Sequence, residues 1–285
     1  LGHAIQILAN PERYFRWLWL VYKYLRGNAP DNSFSRSNLA AMPVLLRFPQ
    51  GNFYFAMPGE QVRYLFKTST NLVPTPSLLD ALTTFFGLPT QDAATLRQKP
   101  EFSSVTAPLD LSRQIMQQQR RDFAHYLQGP NLELIIKRFA SNLLREFDLR
   151  RLDESGWVHF RDLYGYMTSM IFRAEVEALY GEHIFQVCPT MNEDFWNFYE
   201  SLPIIAKKAP KWLAPSSYAA QRKMQDNFSK WRIWCTMHSH PGMGKYSEYE
   251  PLWGCRYVRA MVDRFDGLGF SPTGVATAMF GFLFV

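Results

Sequence analysis

The stretch Asp122-Phe-Ala-His-Tyr-Leu127-Gln128-Gly129-Pro130-Asn131-Leu132, running on into Lys137-Arg138-Phe139, holds a helix end, a break and a helix start in close succession. Glycine reaches backbone angles closed to other residues, and proline cannot donate within a helix but fits its first turn. Gly129-Pro130 therefore closes one helix and opens the next. Asn131 is the expected cap of the second helix. Beyond it Leu132, Ile135, Ile136, Phe139, Leu143 and Phe147 follow a 3.6-residue period, which predicts one buried face.

The same reading extends outward. Leu163, Tyr166, Met167, Met170, Ile171, Ala174 and Ala178 mark a helix that stops at Gly181, and Met224, Phe228, Trp231 and Cys235 mark another after a joint at Pro203, Pro210 and Pro215. Thr273 to Val285 is an apolar run with no capping residue at its end, so a helix is expected to be interrupted there. Towards the start, Asn10-Pro11-Glu12 opens a helix with Phe15, Leu18, Tyr22 and Leu25 on one face as far as Gly27. Arg16 and Lys23 make it too charged to span a bilayer, though it could lie on one. Val44–Phe48 and Phe53–Met57 flank Pro49-Gln50-Gly51-Asn52 and predict a β-hairpin with a four-residue turn. Pro58-Gly59-Glu60 opens a short helix with Val62, Leu65 and Phe66 inward. Ser77 is expected to cap another, carrying Leu78, Leu82, Phe85 and Phe86 before Gly87. Leu88 to Leu111 is polar and irregular and reads as a long loop.

At 285 residues, 47% hydrophobic and 20% charged, the chain is neither a disordered tail nor a small disulfide scaffold. An aromatic content of 16% suits an interior or interface built for bulky apolar contacts. The net charge of +6 is scattered, with no zinc-finger spacing and no basic helix leading into heptads. It favours an anionic membrane surface over nucleic acid as partner. Cys188, Cys235 and Cys255 form no framework spacing and are expected to be free thiols.

No self-contained catalytic set stands out. There is no Gly-x-Ser-x-Gly, no Walker-type loop and no Gly-x-Gly-x-x-Gly, and Gly242-Met-Gly244-Lys245 is too short to hold a phosphate. Cys235-Thr-Met-His238-Ser-His240 crowds three metal-ligand types together, but no second ligand pair matches it, so a solvated helix end is the preferred reading. His125, His159 and His183 stand alone as structural histidines. The pairs Glu175/Glu177 and Glu248/Glu250 are i,i+2 neighbours that do not share a helix face, and they read as surface carboxylates.

The order of these elements resembles the N-terminal half of a cytochrome P450, a heme-thiolate monooxygenase. Asp122–Leu132 matches the corner between its third and fourth lettered helices. Pro58-Gly59-Glu60-Gln61-Val62 through Leu65-Phe66, Ala178-Leu-Tyr-Gly181, and Asp194-Phe-Trp-x-Phe198 followed by Pro210-Lys-Trp212-Leu213-Ala-Pro215 continue the likeness. They are most similar to the branch containing cholesterol 7-alpha-hydroxylase and prostacyclin synthase. The resemblance implies a mainly α fold with a small β-hairpin region. It implies one incomplete domain over residues 1–285, cut in the long central helix, with the heme-binding remainder absent.

The resemblance also implies heme as cofactor, an apolar sterol-like or lipid-like substrate, a reductase as electron donor and residence on the cytoplasmic face of the endoplasmic reticulum membrane. Arg120 would pair with a heme propionate; Met116 stands where the family often has its Trp. Substrate walls would come from the Leu88–Leu111 loop, the Phe195–Pro203 region and the Gly274–Phe284 helix, with Phe195, Phe198, Phe280 and Phe284 as substrate-binding residues. Trp157-x-x-x-Arg161 and Glu60-x-x-Arg63 spell family motifs at the wrong places. No cysteine sits in a Phe-x-x-Gly-x-x-x-Cys-x-Gly context, so the axial thiolate is lacking and the chain as it stands is expected to be inactive. The competing expectation is a non-enzymatic relic that binds lipid or a partner chain.

Overall fold

A computed structural model describes residues 12, 13, 16, 17, 20, 44–48, 51–56, 59–67, 75–97, 111–147, 156, 157, 159–240 and 247–284. Residues 1–74 form one compact unit and 75–285 another. The chain is mainly helical with two small two-stranded sheets among the described residues.

In the first unit, β1 (Val44–Phe48) and β2 (Gly51–Phe55) pair antiparallel with Phe48 opposite Gly51 and Leu45 opposite Tyr54. The hairpin exists, but its connection is two residues rather than four, because the ladder extends through Arg47 and Asn52. Helix α1 (Glu60–Lys67) follows. Val62 is half-buried, whereas Leu65 and Phe66 are 38% and 79% exposed, against the expectation that they face inward. Periodicity creates an apolar face; burying it needs a packing partner, which a period does not supply. Residues 12, 13, 16, 17 and 20 are helical, with Glu12 and Arg16 paired at 3.0 Å. Phe15, Leu18, Tyr22 and Leu25 lie outside the described residues.

The second unit runs α2 (Thr75–Thr84), α3 (Thr90–Arg97), α4 (Leu111–Tyr126), α5 (Gly129–Glu146), α6 (Leu163–Tyr180), α7 (Ile184–Val187), α8 (Met191–Ala206), α9 (Pro215–His238), β3 (Tyr249–Glu250), β4 (Gly254–Cys255), α10 (Arg256–Gly267) and α11 (Pro272–Phe282). Its core is centred on α9, where Met224, Phe228, Trp231 and Cys235 are all fully buried as their spacing requires. Helix α8 packs along α9, α5 along α6, and α11 against both α9 and α10. Tyr180, at the end of α6, is itself fully buried and donates its hydroxyl to the Met279 carbonyl at 2.7 Å.

Several expectations need correction. Helix α5 starts at Gly129, with Gln128 at its cap position, and Asn131 instead donates its amide to the His125 carbonyl at 2.8 Å. Pro130 is preorganised for a first turn, so the helix begins early and Asn131 satisfies an orphan carbonyl of α4. On the predicted stripe of α5 only Ile135 is buried; Leu132, Ile136 and Phe147 are 39%, 53% and 43% exposed. The polar stretch after Leu88 begins with a helix, α3, which buries Ala93 and Leu96 at i,i+3 spacing; residues 98–110 lie outside the described set. Pro203 lies inside α8 rather than in a joint.

Candidate functional site

The four rings expected to contact substrate come together. Phe195 and Phe198 are a turn apart on α8, Phe280 is on α11 and Phe284 lies just beyond it. The Phe198 centroid is 4.6 Å from that of Phe280 and 5.8 Å from that of Phe284, both in edge-to-face geometry. Phe284 is 5.5 Å from Phe195 and 6.0 Å from Phe280. Such contacts place the electropositive edge of one ring against the electron-rich face of the next. Phe198 and Phe280 are fully buried, and Phe284 is half-buried at the margin of the cluster.

A fifth ring, which the sequence presents only as part of a helix face, joins them. Phe86, just beyond α2, lies 5.3 Å from Phe280, 5.4 Å from Phe284 and 6.4 Å from Phe198. Its helical spacing marked it as inward; nothing local showed that it would meet α8 and α11. Gly281 faces this ring, and a Cβ built there would meet it in ordinary contact at 3.6 Å.

The start of α11 is fixed from a distance. Ser271 caps it by accepting from the Gly274 N–H at 3.0 Å, and Asp92 of α3 accepts from the Ser271 N–H at 2.9 Å and its hydroxyl at 2.5 Å. A side chain at Gly274 would overlap the Asp92 carboxylate, so this glycine permits the approach. A buried carboxylate at a helix N-terminus is favoured by the unpaired N–H groups there.

The other candidates are dispersed. Arg120 is exposed on α4, and nothing is described of the Met116 side chain. His125 and His159 are exposed, and His183 is half-buried beside Gln186 and the Trp234 ring. His238 is exposed with Nδ1 2.8 Å from the Trp234 carbonyl. Trp157 and Arg161 both lie outside the helices.

The carboxylates expected at the surface are mostly engaged. Glu177 is buried against Arg145, and burial raises its pKa, with Arg145 opposing. Glu248 takes two nitrogens of Arg138 at 3.2 Å. Glu250 accepts from the Leu252 and Trp253 N–H groups at 3.0 and 2.8 Å. The partners of Glu177 and Glu248 are remote in sequence, so i,i+2 spacing could not reveal them, whereas Glu250 closes a local turn.

All three cysteines are buried free thiols. Cys188 donates to the Asn227 carbonyl and Cys235 to the Leu252 carbonyl, each at 3.1 Å. Burial pushes Cys188 and Cys255 up to about 11 and raises Cys235 further. An axial ligand must be a thiolate, a form that burial disfavours at all three sulfurs, and Cys188 and Cys235 are already spent on backbone oxygens. Among the described residues no cluster of three or more His, Cys, Asp or Glu is placed to hold a metal ion. The described residues therefore do not fit a thiolate-ligated heme.

No protein-family model matches the chain, and no solved structure does. Over 136 residues, 47% of this chain, it is 31% identical to the cytochrome P450 monooxygenase fsoE of Humicola fuscoatra, 24% of which is covered. Over 109 residues, 37% of this chain, it is 26% identical to the cytochrome P450 monooxygenase efuG of Hormonema carpetanum, 19% of which is covered. The chain thus matches a quarter or less of these relatives' own length. Both relatives are named as cytochrome P450 monooxygenases, and each likeness covers less than half of this chain.

Proposed function

We propose that the chain is the N-terminal portion of a heme-dependent monooxygenase that oxidises an apolar, sterol-like or lipid-like molecule, using molecular oxygen and electrons from a reductase. The observation that carries this reading is the 31% identity to a protein named as a cytochrome P450 monooxygenase. The cluster of Phe86, Phe195, Phe198, Phe280 and Phe284 supports the substrate class, because aromatic rings bind such a ligand by removing apolar area from water. Neither relative's name bears on the cholesterol 7-alpha-hydroxylase and prostacyclin synthase branch.

A thiolate-bound heme would supply oxygen activation in the intact enzyme; the described residues shape and dry the apolar side of the site. The test reads the transcript adjoining Val285. A Glu-x-x-Arg helix and a cysteine loop are expected there, and the intact product reduced with dithionite under carbon monoxide should give a thiolate-type Soret band. The 285-residue chain with hemin should not. A stop codon with no cysteine loop would favour the non-enzymatic lipid-binding module instead.

The same reading places the protein at a membrane, on the cytoplasmic face of the endoplasmic reticulum. Support comes from the last turn of α8 and the link to α9, where Ile204, Trp212 and Leu213 are 43%, 80% and 64% exposed near Lys207 and Lys211, while Lys208 is paired with Asp80. Exposed aromatic and aliphatic side chains ringed by cations suit an anionic lipid surface.

A further inference from the structure

The C-terminal end of α2 is held from outside by two glutamines of α9. Gln221 Nε2 donates to the carbonyls of Thr84 at 3.0 Å and Phe85 at 2.8 Å. Gln225 Nε2 donates to those of Phe86 at 2.8 Å and Gly87 at 2.9 Å. These are four consecutive carbonyls at a helix end, where the helix itself provides no donors. Both glutamines are buried, at 6% and 8% exposure, and their i,i+4 spacing sets them on one face of α9.

Carbonyl oxygens only accept, so each amide must present its nitrogen to this segment. Gly87 makes the approach possible. It has a φ of +71°, the left-handed turn that ends the helix, and the Leu88 N–H closes that turn onto the Leu82 carbonyl at 2.9 Å. A Cβ at Gly87 would lie 2.8 Å from Gln225 Nε2.

Gln225 also ties in a third helix. Thr277 of α11, fully buried, spends its hydroxyl proton on the Thr273 carbonyl at 2.8 Å, and its oxygen lies 3.0 Å from Gln225 Nε2, whose two hydrogens are shared among Thr277 and the Phe86 and Gly87 carbonyls. One amide therefore joins the α2 end, α9 and α11. The residue whose carbonyl it grips, Phe86, is the one that sends its ring against Phe280 and Phe284.

We infer that Gln221 and Gln225 are positioning residues that fix the Phe86 ring against the aromatic cluster, and so set the shape of the apolar site from a helix that lies behind it. This rests on the cluster being the substrate wall. Its consequence is selectivity between apolar shapes: with the clasp intact the Phe86 ring is fixed, and a ligand must fit around it. Released, the ring yields to a bulkier rigid ligand.

The test uses the purified 285-residue chain. Gln225→Leu removes the donors and leaves a branched apolar side chain one bond shorter. Amide hydrogen exchange should rise about tenfold at Phe85–Leu88 while α6 and the far half of α9 keep their protection. Binding is read with Nile red, displaced by progesterone as a rigid tetracycle or dodecanol as a flexible chain. The ratio of their affinities should shift in favour of progesterone by about fivefold in Gln225→Leu and in Phe86→Ala, with the double variant no further shifted than either alone.

If Gln225→Leu does not fold, Gln221→Met, which releases only Thr84 and Phe85, gives the same two readouts with smaller changes expected. Unchanged exchange at Phe85–Leu88 in a folded variant overturns the inference. So does an affinity ratio that stays fixed while both ligands weaken equally, since that is what a merely stabilising residue would do. If the wild-type chain binds neither ligand, the substrate-wall reading fails, and the exchange result alone decides whether the clasp holds the segment.

Discussion

Asp194 shows how a single side chain can be fixed by groups its sequence neighbours do not reveal. It is 4% exposed on α8 and accepts from Thr190 Oγ1 at 2.9 Å and Asn227 Nδ2 at 3.0 Å, while Lys223 Nζ lies 3.3 Å away. Burial alone would raise its carboxyl pKa; the hydrogen bonds from Asn227, Thr190 and Lys223 outweigh burial and hold it below the ordinary value. A folded-state pKa below the unfolded one means stability that is complete above about pH 4 and lost as the pH falls through the folded value. Asp194→Ala should therefore cost about 2–4 kcal/mol at pH 7, most of it from stranding Asn227 and Thr190, since Lys223 is largely exposed. Urea unfolding of wild type and variant at pH 7 and pH 3 checks it, with the gap expected to narrow in acid. The cysteines give a second prediction at this scale. With Cys188 and Cys255 pushed up to about 11 by burial, the native chain should leave all three thiols unreacted with Ellman's reagent at pH 8. In 6 M guanidinium chloride all should react; rapid labelling of the native protein would contradict the burial described here.

At the level of elements, two glycines separate backbone necessity from ordinary helix propensity. Gly254, the first residue of β4, has a φ of +73°, and an added Cβ would overlap the Leu179 carbonyl and the backbone of Tyr180 at the end of α6. Gly254→Ala should destabilise by at least ~2 kcal/mol, because neither the backbone angle nor the close approach can relax locally. Gly267, the last residue of α10, has nothing within 4 Å of the same built atom and an ordinary φ. Gly267→Ala should stabilise by ~0.5–1 kcal/mol through lower unfolded-state entropy. Thermal melts of the two variants, moving in opposite directions, test the contrast. Elements also differ in how far their sequence could be read. The α9 stripe is legible because it lies at the centre of the unit, where every predicted side chain finds a neighbour. The α5 stripe is legible as a helix but not as a buried face, and Asn142, a polar residue off that stripe, is buried there with its amide on the Ala174 carbonyl at 3.3 Å.

For the whole molecule, the exposed link between α8 and α9 carries the membrane proposal. The chain should sediment with vesicles of phosphatidylcholine and phosphatidylserine more than with phosphatidylcholine alone, and salt should weaken the association. Trp212→Ala with Leu213→Ala should cut vesicle binding about tenfold or more, given roughly 1.5–3 kcal/mol for each large apolar side chain buried. Lys207→Glu with Lys211→Glu should remove the preference for anionic lipid. Equal binding by wild type and both double variants would count against this face. Among the described residues no helix is long and apolar enough to cross a membrane.

The amino-acid sequence by itself determined that the chain is mainly helical with a hairpin near its start, that α9 would bury its stripe of Met224, Phe228, Trp231 and Cys235, and that Gly87 and Gly181 would end helices. Those features depend on periodicity, backbone freedom and caps, all of which act within a few residues. It also named four rings that converge, through the order of motifs rather than through any local pattern. Only the tertiary structure decided that Phe86 joins them, that Gln221 and Gln225 grip the end of α2, and that Glu177, Glu248 and Glu250 are engaged rather than solvated. Apart from the local bonds of Glu250, each of those contacts joins residues at least 32 positions apart. Whether such groups meet is set by how helices pack, which a spacing along the chain does not encode.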